Sequence, residues 1–85
     1  MEWDESKSEE NRLKRGFGFE IALHFDWDTA VYQPDVRWDY GEDRIVAFGW
    51  AAAVRYAIVF THGNGTRRII SIRRMHDKEA RKYGI

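Results

Sequence analysis

The residues with the clearest chemical potential lie in one short stretch, Arg67-Arg68-Ile69-Ile70-Ser71-Ile72-Arg73-Arg74. Three isoleucines among its four arginines favour a β-strand. A guanidinium group is planar and always charged, and it can hold a phosphate through two hydrogen bonds. An arginine on an inner strand is costly unless it is paired or serves a surface function. This stretch therefore predicts a strand that binds phosphate.

Strand alternation divides these arginines between two faces. Arg67 and Arg73 are predicted to share one face with Ser71, whereas Arg68 and Arg74 are predicted on the other. An alternative interpretation is that the arginines form ion pairs with acidic residues elsewhere in the chain. Pairing is the better interpretation for any single arginine, and a functional cluster is the better one for all of them together.

The charge is distributed unevenly along the chain, although the formal net charge is zero. Residues 1–43 hold 12 acidic and 5 basic residues, and residues 44–85 hold 9 basic and 2 acidic residues. A basic surface on the C-terminal half would attract a phosphate-bearing partner. Equally, the two halves could neutralise each other across the fold, and charge counting alone does not separate these interpretations.

Two groups near the arginine-rich stretch could move a proton. His76 follows it directly and is the histidine best placed to act as an acid or base, although a helix-capping or exposed histidine is the slightly better interpretation. Tyr83, in the last predicted helix beyond Lys78 and Glu79, is interpreted either as a proton donor near phosphate or as a hydrophobic plug. The histidines lie at no metal-ligand spacing and the chain has no cysteine, so no zinc site is predicted.

The pattern of polar and apolar residues predicts helices at both ends of the chain. The first helix is expected from the N-cap Asp4 to Arg15, with Gly16 ending it. A second helix is expected over residues 19–25, where apolar residues recur at helical spacing. Four strands are expected over residues 30–36, 44–50, 54–61 and 67–74, and a last helix over residues 78–83.

This order predicts an α+β fold with two N-terminal helices, a four-stranded antiparallel meander and a C-terminal helix, all in one domain spanning residues 1–85. A small domain without cysteines is expected in the cytoplasm rather than outside the cell. No apolar stretch approaches the length of a membrane span, and the first residues lack the features of a signal peptide. We therefore expect no membrane partner.

Several motifs together resemble the BrnT toxin family, and the resemblance covers nearly the whole chain. Its most specific part is the Ile-Ile-Ser-x-Arg-Arg pattern with Lys-Glu and a tyrosine downstream. The segments that carry it are Glu2-Trp3-Asp4, Lys7, Asn11, Lys14-Arg15-Gly16, Phe19, Gly41-Glu42-Asp43-Arg44, Arg68-Ile69-Ile70-Ser71-Ile72-Arg73-Arg74, Lys78-Glu79 and Tyr83.

The resemblance implies an endoribonuclease toxin of a type II toxin–antitoxin pair, with a RelE-like fold, that cleaves RNA without a metal ion or other cofactor. It also implies neutralisation by a BrnA-like antitoxin, through which the complex would bind operator DNA. An alternative is a non-catalytic subunit of such a DNA-binding repressor complex. The catalytic residues expected on this basis are Arg68, Arg73, Tyr83 and His76, and the RNA-binding residues are Arg67, Ser71, Arg74, Lys78 and Glu79.

Overall fold

A computed structural model describes all 85 residues. Five strands form one sheet in the order β1-β5-β4-β3-β2, and the two α-helices lie near the chain ends. Neither helix has the length and apolar character that a membrane span requires. The elements are β1 (Glu2–Trp3), α1 (Glu5–Arg15), a 3-10 helix (Phe19–Leu23), β2 (Val31–Pro34), β3 (Ile45–Ala51), β4 (Val54–Gly63), β5 (Thr66–Arg74) and α2 (Asp77–Tyr83).

The predicted fold was wrong in two respects. Residues 19–25 do not form a second α-helix. A short 3-10 helix forms instead, and Phe25 beyond it is an extended residue that pairs with Ala51 of β3. The sheet has five strands and is mixed rather than antiparallel, because β1 pairs in parallel with β5. A strand of two residues is too short to show a periodic pattern, so the sequence did not predict it. Its pairing partner is 66 residues away in the chain, since Glu2 lies opposite Arg68.

The predicted ends of the helices are mostly confirmed. Asp4 caps α1 by accepting hydrogen bonds from the backbone N–H groups of Ser6 and Lys7. Gly16 ends the helix with φ of 89°, a left-handed conformation that glycine adopts without steric cost. Helix α2 begins one residue earlier than the predicted residue 78, and its N-cap is His76.

The core lies on one face of the sheet, which we call the core face. Residues 17–30 cover it with aromatic side chains, and Phe19 and Phe60 are fully buried at its centre. Edge-to-face ring contacts link Phe25 to Trp27 and Trp27 to Phe60. The other buried members of this cluster are Ala22, Ala47, Ala51, Tyr56, Ile58, Ile69 and Ile72.

A β-bulge decides which residues of β5 face the core. Val59 of β4 pairs with Ser71, but the next residue, Phe60, pairs with Ile69, so Ile70 is an extra residue in β5. Ile69 and Ile72 are therefore both buried in the core, although simple alternation puts them on opposite faces. The bulge reverses the alternation between Ile69 and Ser71. The two arginines before it, Arg67 and Arg68, therefore exchange the faces predicted for them relative to Ser71 and Arg73.

After this correction, Arg68, Ser71 and Arg73 share the face opposite the core, which we call the cleft face. Their partners on β4 are Thr61, Val59 and Ala57 in that order. Arg67 and Arg74 lie on the core-face side, at the two ends of the strand. The cleft face is partly covered by α2, whose Tyr83 ring stacks on Phe48 of β3 at 4.7 Å between ring centroids.

Helix α1 is attached to the rest of the protein by polar contacts, since its single large apolar residue, Leu13, is 81% exposed. The buried Ser8 hydroxyl accepts a hydrogen bond from the Phe19 N–H at 2.8 Å, and Asn11 donates to the Phe17 carbonyl at 2.9 Å. A Cβ at Gly18 would lie 2.8 Å from the Ser8 Oγ, so the segment approaches the helix closely. These contacts determine where the C-terminal end of α1 lies.

Replacing Ser8 with alanine should lower the free energy of unfolding by about 1–3 kcal/mol, because the buried Phe19 N–H loses its acceptor. Ser6→Ala is the matched control on the same helix, since Ser6 is exposed, and it should change stability by less than about 0.5 kcal/mol. Urea denaturation of both variants measures the difference. Equal effects of the two substitutions would contradict this account of how α1 is attached.

Candidate functional site

A cleft of about 320 Å³ opens on the cleft face of the sheet. Its walls are the C-terminal end of α1, the loop between β2 and β3, and helix α2. The charged groups that line it are Arg15, Asp35, Arg37, Arg73 and Glu79. Three separate parts of the chain thus bring arginines to one depression, and we call it the cationic cleft.

The floor of the cationic cleft is apolar. Val59 of β4, with Val46 and Phe48 of β3, forms it, and Tyr83 of α2 lies against Phe48. The Tyr83 side chain is partly exposed, and its hydroxyl has no hydrogen-bond partner within the protein. The cleft thus combines a flat hydrophobic base with a free phenol at its edge.

Arg73 and Glu79 form the central ion pair of the cleft. Both Nη atoms of Arg73 donate to the Glu79 carboxylate at 2.8 Å, and Nη1 also donates to the Arg74 carbonyl. The two bonds from Arg73 to the carboxylate, with one from the His76 N–H, hold the pKa of Glu79 at about 2. The Arg73 side chain is 27% exposed, and its Nε–H and one Nη2–H carry no hydrogen bond to the protein. Arg73 is therefore fixed by one edge and has another edge available to a ligand.

A second arginine–carboxylate pair lies on the opposite wall. The Asp35 side chain is almost fully buried, and it accepts hydrogen bonds of 2.9 Å from Nε and Nη2 of Arg37. Arg37 is the main cause that keeps the pKa of Asp35 below its ordinary value, and the Tyr40 hydroxyl at 3.4 Å contributes. The Arg37 side chain is 67% exposed, so its charged end extends into solvent at the cleft.

Arg15 completes the set of cations. It ends α1 beside Gly16, is exposed, and lines the cationic cleft together with Ser71 and Arg73. It forms no ion pair within the protein, in contrast to Arg37 and Arg73. Arg15 is thus the cleft arginine whose charge is not balanced by a neighbouring carboxylate.

Four of the residues predicted from the sequence meet in this cleft. They come from different elements, since Ser71 and Arg73 lie on β5 whereas Glu79 and Tyr83 lie on α2. The Arg73–Glu79 pair joins the two elements directly.

Two of the predicted arginines lie outside the cleft because they pack against other groups. Arg68 is on the cleft face, but it lies toward the far end of β5 and approaches Glu2 of β1 at 3.6 Å. Arg67 lies over the Trp27 ring on the core-face side, with its guanidinium carbon 4.2 Å from the ring centroid. Its Nε is buried without a partner.

The other three predicted residues lie at the surface around the cleft. Arg74 is exposed on the core-face side, Lys78 is exposed on the first turn of α2, and the His76 side chain is 70% exposed at the start of that helix. His76 shares a smaller surface depression with Arg15 and Arg73. None of the three lines the cationic cleft itself.

Sequence reasoning did not assign a site role to Asp35, Arg37 or Arg15. Arg37 and Asp35 lie in a loop without periodicity, where an acid two residues before an arginine is unremarkable. Arg15 lies at the C-terminal end of a predicted helix, where the helix dipole favours any basic residue, so it needs no further explanation in the sequence. Only packing in three dimensions brings these residues beside Arg73.

The side chains of the cationic cleft are of types that can bind both the phosphates and the planar bases of a nucleic acid. Arginine edges suit phosphate oxygens, and an apolar aromatic floor suits planar bases. The Tyr83 hydroxyl adds a group that can donate a proton. No three His, Cys, Asp or Glu side chains cluster closely enough to hold a metal ion.

The fold is that of a small α+β domain, and its cationic cleft contains side chains of the types that suit a phosphodiester ligand. Residues 3–79 match the family model of the BrnT ribonuclease toxin of type II toxin–antitoxin systems. The chain therefore belongs to the BrnT family, whose members are ribonuclease toxins and have a protein antitoxin as partner. The match includes Ser71, Arg73 and Glu79 and ends before Tyr83. A search of curated proteins finds no significant match.

Acid should weaken the Arg73–Glu79 pair. The pKa of Glu79 is lower in the folded protein than its ordinary value of 4.5, so the pair contributes fully above about pH 4.5 and loses its contribution as the pH falls toward 2. The loss should reach at most about 3 kcal/mol. Urea denaturation between pH 5 and 2 should show a weaker pH dependence for Glu79→Gln than for the wild type.

Glu20→Gln is the matched control for this measurement. Glu20 also pairs with an arginine, Arg12, but both side chains are more than 40% exposed. This substitution should alter the pH dependence less than Glu79→Gln does. An unchanged profile in Glu79→Gln would contradict the role given to the Arg73 pair.

Proposed function

We propose that this protein is an endoribonuclease that cleaves RNA in the cationic cleft without a metal ion. The observation that carries the proposal is Arg73, which is held by Glu79 along one edge, keeps another edge free of protein partners, and lines the same cleft as Tyr83. RNA supplies its own nucleophile, since the 2′-hydroxyl can attack the adjacent phosphorus. The protein then has to position the phosphate, stabilise its growing negative charge and move two protons.

Arg73 is the proposed stabiliser of charge on the phosphate oxygens. Its free Nε–H and Nη2–H can donate to two oxygens of one phosphate, and Glu79 keeps the guanidinium from rotating away. Arg15 lines the same cleft with an unbalanced positive charge. We therefore assign to Arg15, in place of Arg68, a second contact to the phosphate that Arg73 binds. Ser71 lies on the same strand face and can donate a further hydrogen bond.

Tyr83 is the proposed general acid. Its ring is held against Phe48, and its hydroxyl is free to protonate the leaving 5′-oxygen. His76 is the weaker candidate, since its side chain lies in the neighbouring depression. Glu79 is a poor base because its pKa is about 2, so the 2′-hydroxyl gives its proton to water in the open cleft, and we ascribe most of the rate to positioning and electrostatic stabilisation.

We further infer that a BrnA-like antitoxin neutralises the protein in the cytoplasm and carries the complex to operator DNA. Val36 and Trp38 support a protein partner, because 81% and 73% of these apolar residues are exposed beside the cleft. The same surface also fits the alternative of a non-catalytic subunit of a repressor complex. Purified, antitoxin-free protein separates the two, since an intact RNA substrate together with tight antitoxin binding would support the alternative.

Arg73→Gln should reduce kcat/KM for cleavage of RNA by about 100-fold or more, because the developing charge loses its main donor. Arg74→Gln is the matched control, since it removes the same charge from the adjacent residue on the other side of the strand, and its effect should be less than about threefold. Cleavage of a fluorescent RNA gives both values. Similar losses in the two variants would argue against a specific role for Arg73.

Tyr83→Phe keeps the ring on Phe48 and removes only the hydroxyl. If Tyr83 is the general acid, kcat should fall by about 100-fold or more while the affinity for uncleaved RNA stays the same. An RNA with a 5′-thiolate leaving group, which needs no protonation, should restore most of the rate. Full activity of Tyr83→Phe would exclude this assignment, and His76→Gln would then be the variant to compare.

A further inference from the structure

Arg37 resembles Arg73 in how it is held, although it lies on the opposite wall of the cationic cleft. Each arginine has one edge bound by a carboxylate and another edge free. Asp35 binds the Nε–Nη2 edge of Arg37, so both hydrogens of Nη1 and one of Nη2 have no protein acceptor. Because Asp35 is buried and Arg37 is 67% exposed, the free edge is the one that faces solvent.

The loop that carries Arg37 is held in place by the same carboxylate. Asp35 accepts hydrogen bonds from the Arg37 backbone N–H and the Tyr40 hydroxyl, and its own N–H donates to the Arg44 carbonyl. Such contacts restrict the loop around a single buried acid. An arginine that has lost conformational freedom in advance binds a ligand at a lower entropic cost.

One continuous row of side chains connects the two walls. The pairing register places Ser71 opposite Val59, Val59 opposite Val46, and Val46 opposite Gln33. All four line the cleft, and the row crosses three strand spacings, or about 14 Å. Its two ends are polar and lie near Arg73 and Arg37, whereas its middle is apolar.

We propose that Arg37 is a second phosphate-binding point, and that single-stranded RNA crosses the sheet along this row from β5 to β2. One phosphate binds at Arg73, a phosphate further along the strand binds at Arg37, and the bases between them lie on the apolar floor. The strand must be single, because the bases of a duplex are stacked on one another and cannot reach the floor. This inference rests on the proposed function, since it places the same RNA in the same cleft.

RNA suits the row better than an acidic protein segment does. Its phosphates are spaced along the backbone and each nucleotide carries a base with flat apolar faces, which matches two cationic ends around a floor of Val46, Val59 and Phe48. An antitoxin segment that binds Arg37 is the competing outcome, and the experiment distinguishes it.

The test measures binding of a single-stranded RNA that carries 2′-O-methyl groups throughout and so cannot be cleaved. Fluorescence anisotropy gives its Kd at several salt concentrations for the wild type and for Arg37→Gln. Loss of one phosphate contact should reduce the slope of log Kd against log salt by about 0.7 and weaken binding roughly tenfold at low salt. The duplex of the same sequence should bind more weakly than the single strand.

Arg81→Gln is the matched control, because Arg81 is an exposed arginine on α2 outside the cationic cleft. It should leave the slope unchanged. Arg37→Gln leaves Asp35 without its main partner, so the double variant Asp35→Asn with Arg37→Gln is measured too, and it should show the same reduced slope in a folded protein. Melting temperatures of all variants verify folding.

Each result decides the matter. A wild-type slope in both Arg37 variants, or no RNA binding by the wild type, overturns the inference. If Arg37→Gln keeps the wild-type Kd for RNA but weakens binding of the antitoxin, measured in the same assay, Arg37 serves the protein partner and the inference is wrong. If the slope depends on Arg37 but the wild type leaves cleavable RNA intact, the second phosphate point stands and the proposed function fails.

Discussion

The extra residue in β5 is the feature on which the arrangement of the cleft depends. Ile69 and Ile72 are separated by three positions, so a regular strand could not bury both in one core. The bulge at Ile70 makes this possible, and it turns Ser71 and Arg73 to the opposite face at the same time. Burial of two large apolar side chains favours this register by several kcal/mol, roughly 1.5–3 each. Packing of the hydrophobic core thereby determines that Ser71 and Arg73 lie on the cleft face.

Carboxylates then determine how the cleft arginines are presented. A flexible arginine loses considerable side-chain entropy when it binds a ligand, and an ion pair made within the fold removes part of that loss beforehand. Glu79 orients Arg73 from α2, and Asp35 orients Arg37 from the start of its own loop. Each carboxylate also lowers the net charge of the cleft. Arg15, which has no such partner, supplies the unbalanced charge.

Polar anchoring of α1 explains how Arg15 reaches the cleft. A helix with an apolar stripe would be positioned by the core, but α1 has no such stripe and uses Ser8 and Asn11 instead. Directional hydrogen bonds to the backbone at Phe17 and Phe19 specify both the position and the rotation of the helix. The close approach at Gly18 leaves little room for alternatives. The C-terminal end of the helix is consequently directed toward β5.

Local chemistry is what the sequence by itself determined. Helix caps at Asp4 and Gly16, all four predicted strands within two residues of their ends, and the motif of the BrnT family depend on neighbouring residues, so they can be recognised in the linear chain. The types of group in the cleft, arginines with a serine, a glutamate and a tyrosine, were also evident. A phosphate-binding role was predicted from those types, with internal ion pairing as the alternative.

Only the tertiary structure decided which of these groups meet. The bulge, the pairing of β1 with β5 and the replacement of a second helix by a 3-10 turn all arise from contacts between residues distant in sequence. Those contacts separate Arg68 from Arg73 and bring in Arg15 and Arg37, to which no local pattern assigned a site role. The reason is physical: the face on which a side chain lies follows from the packing of the whole sheet, whereas its chemistry belongs to the residue alone.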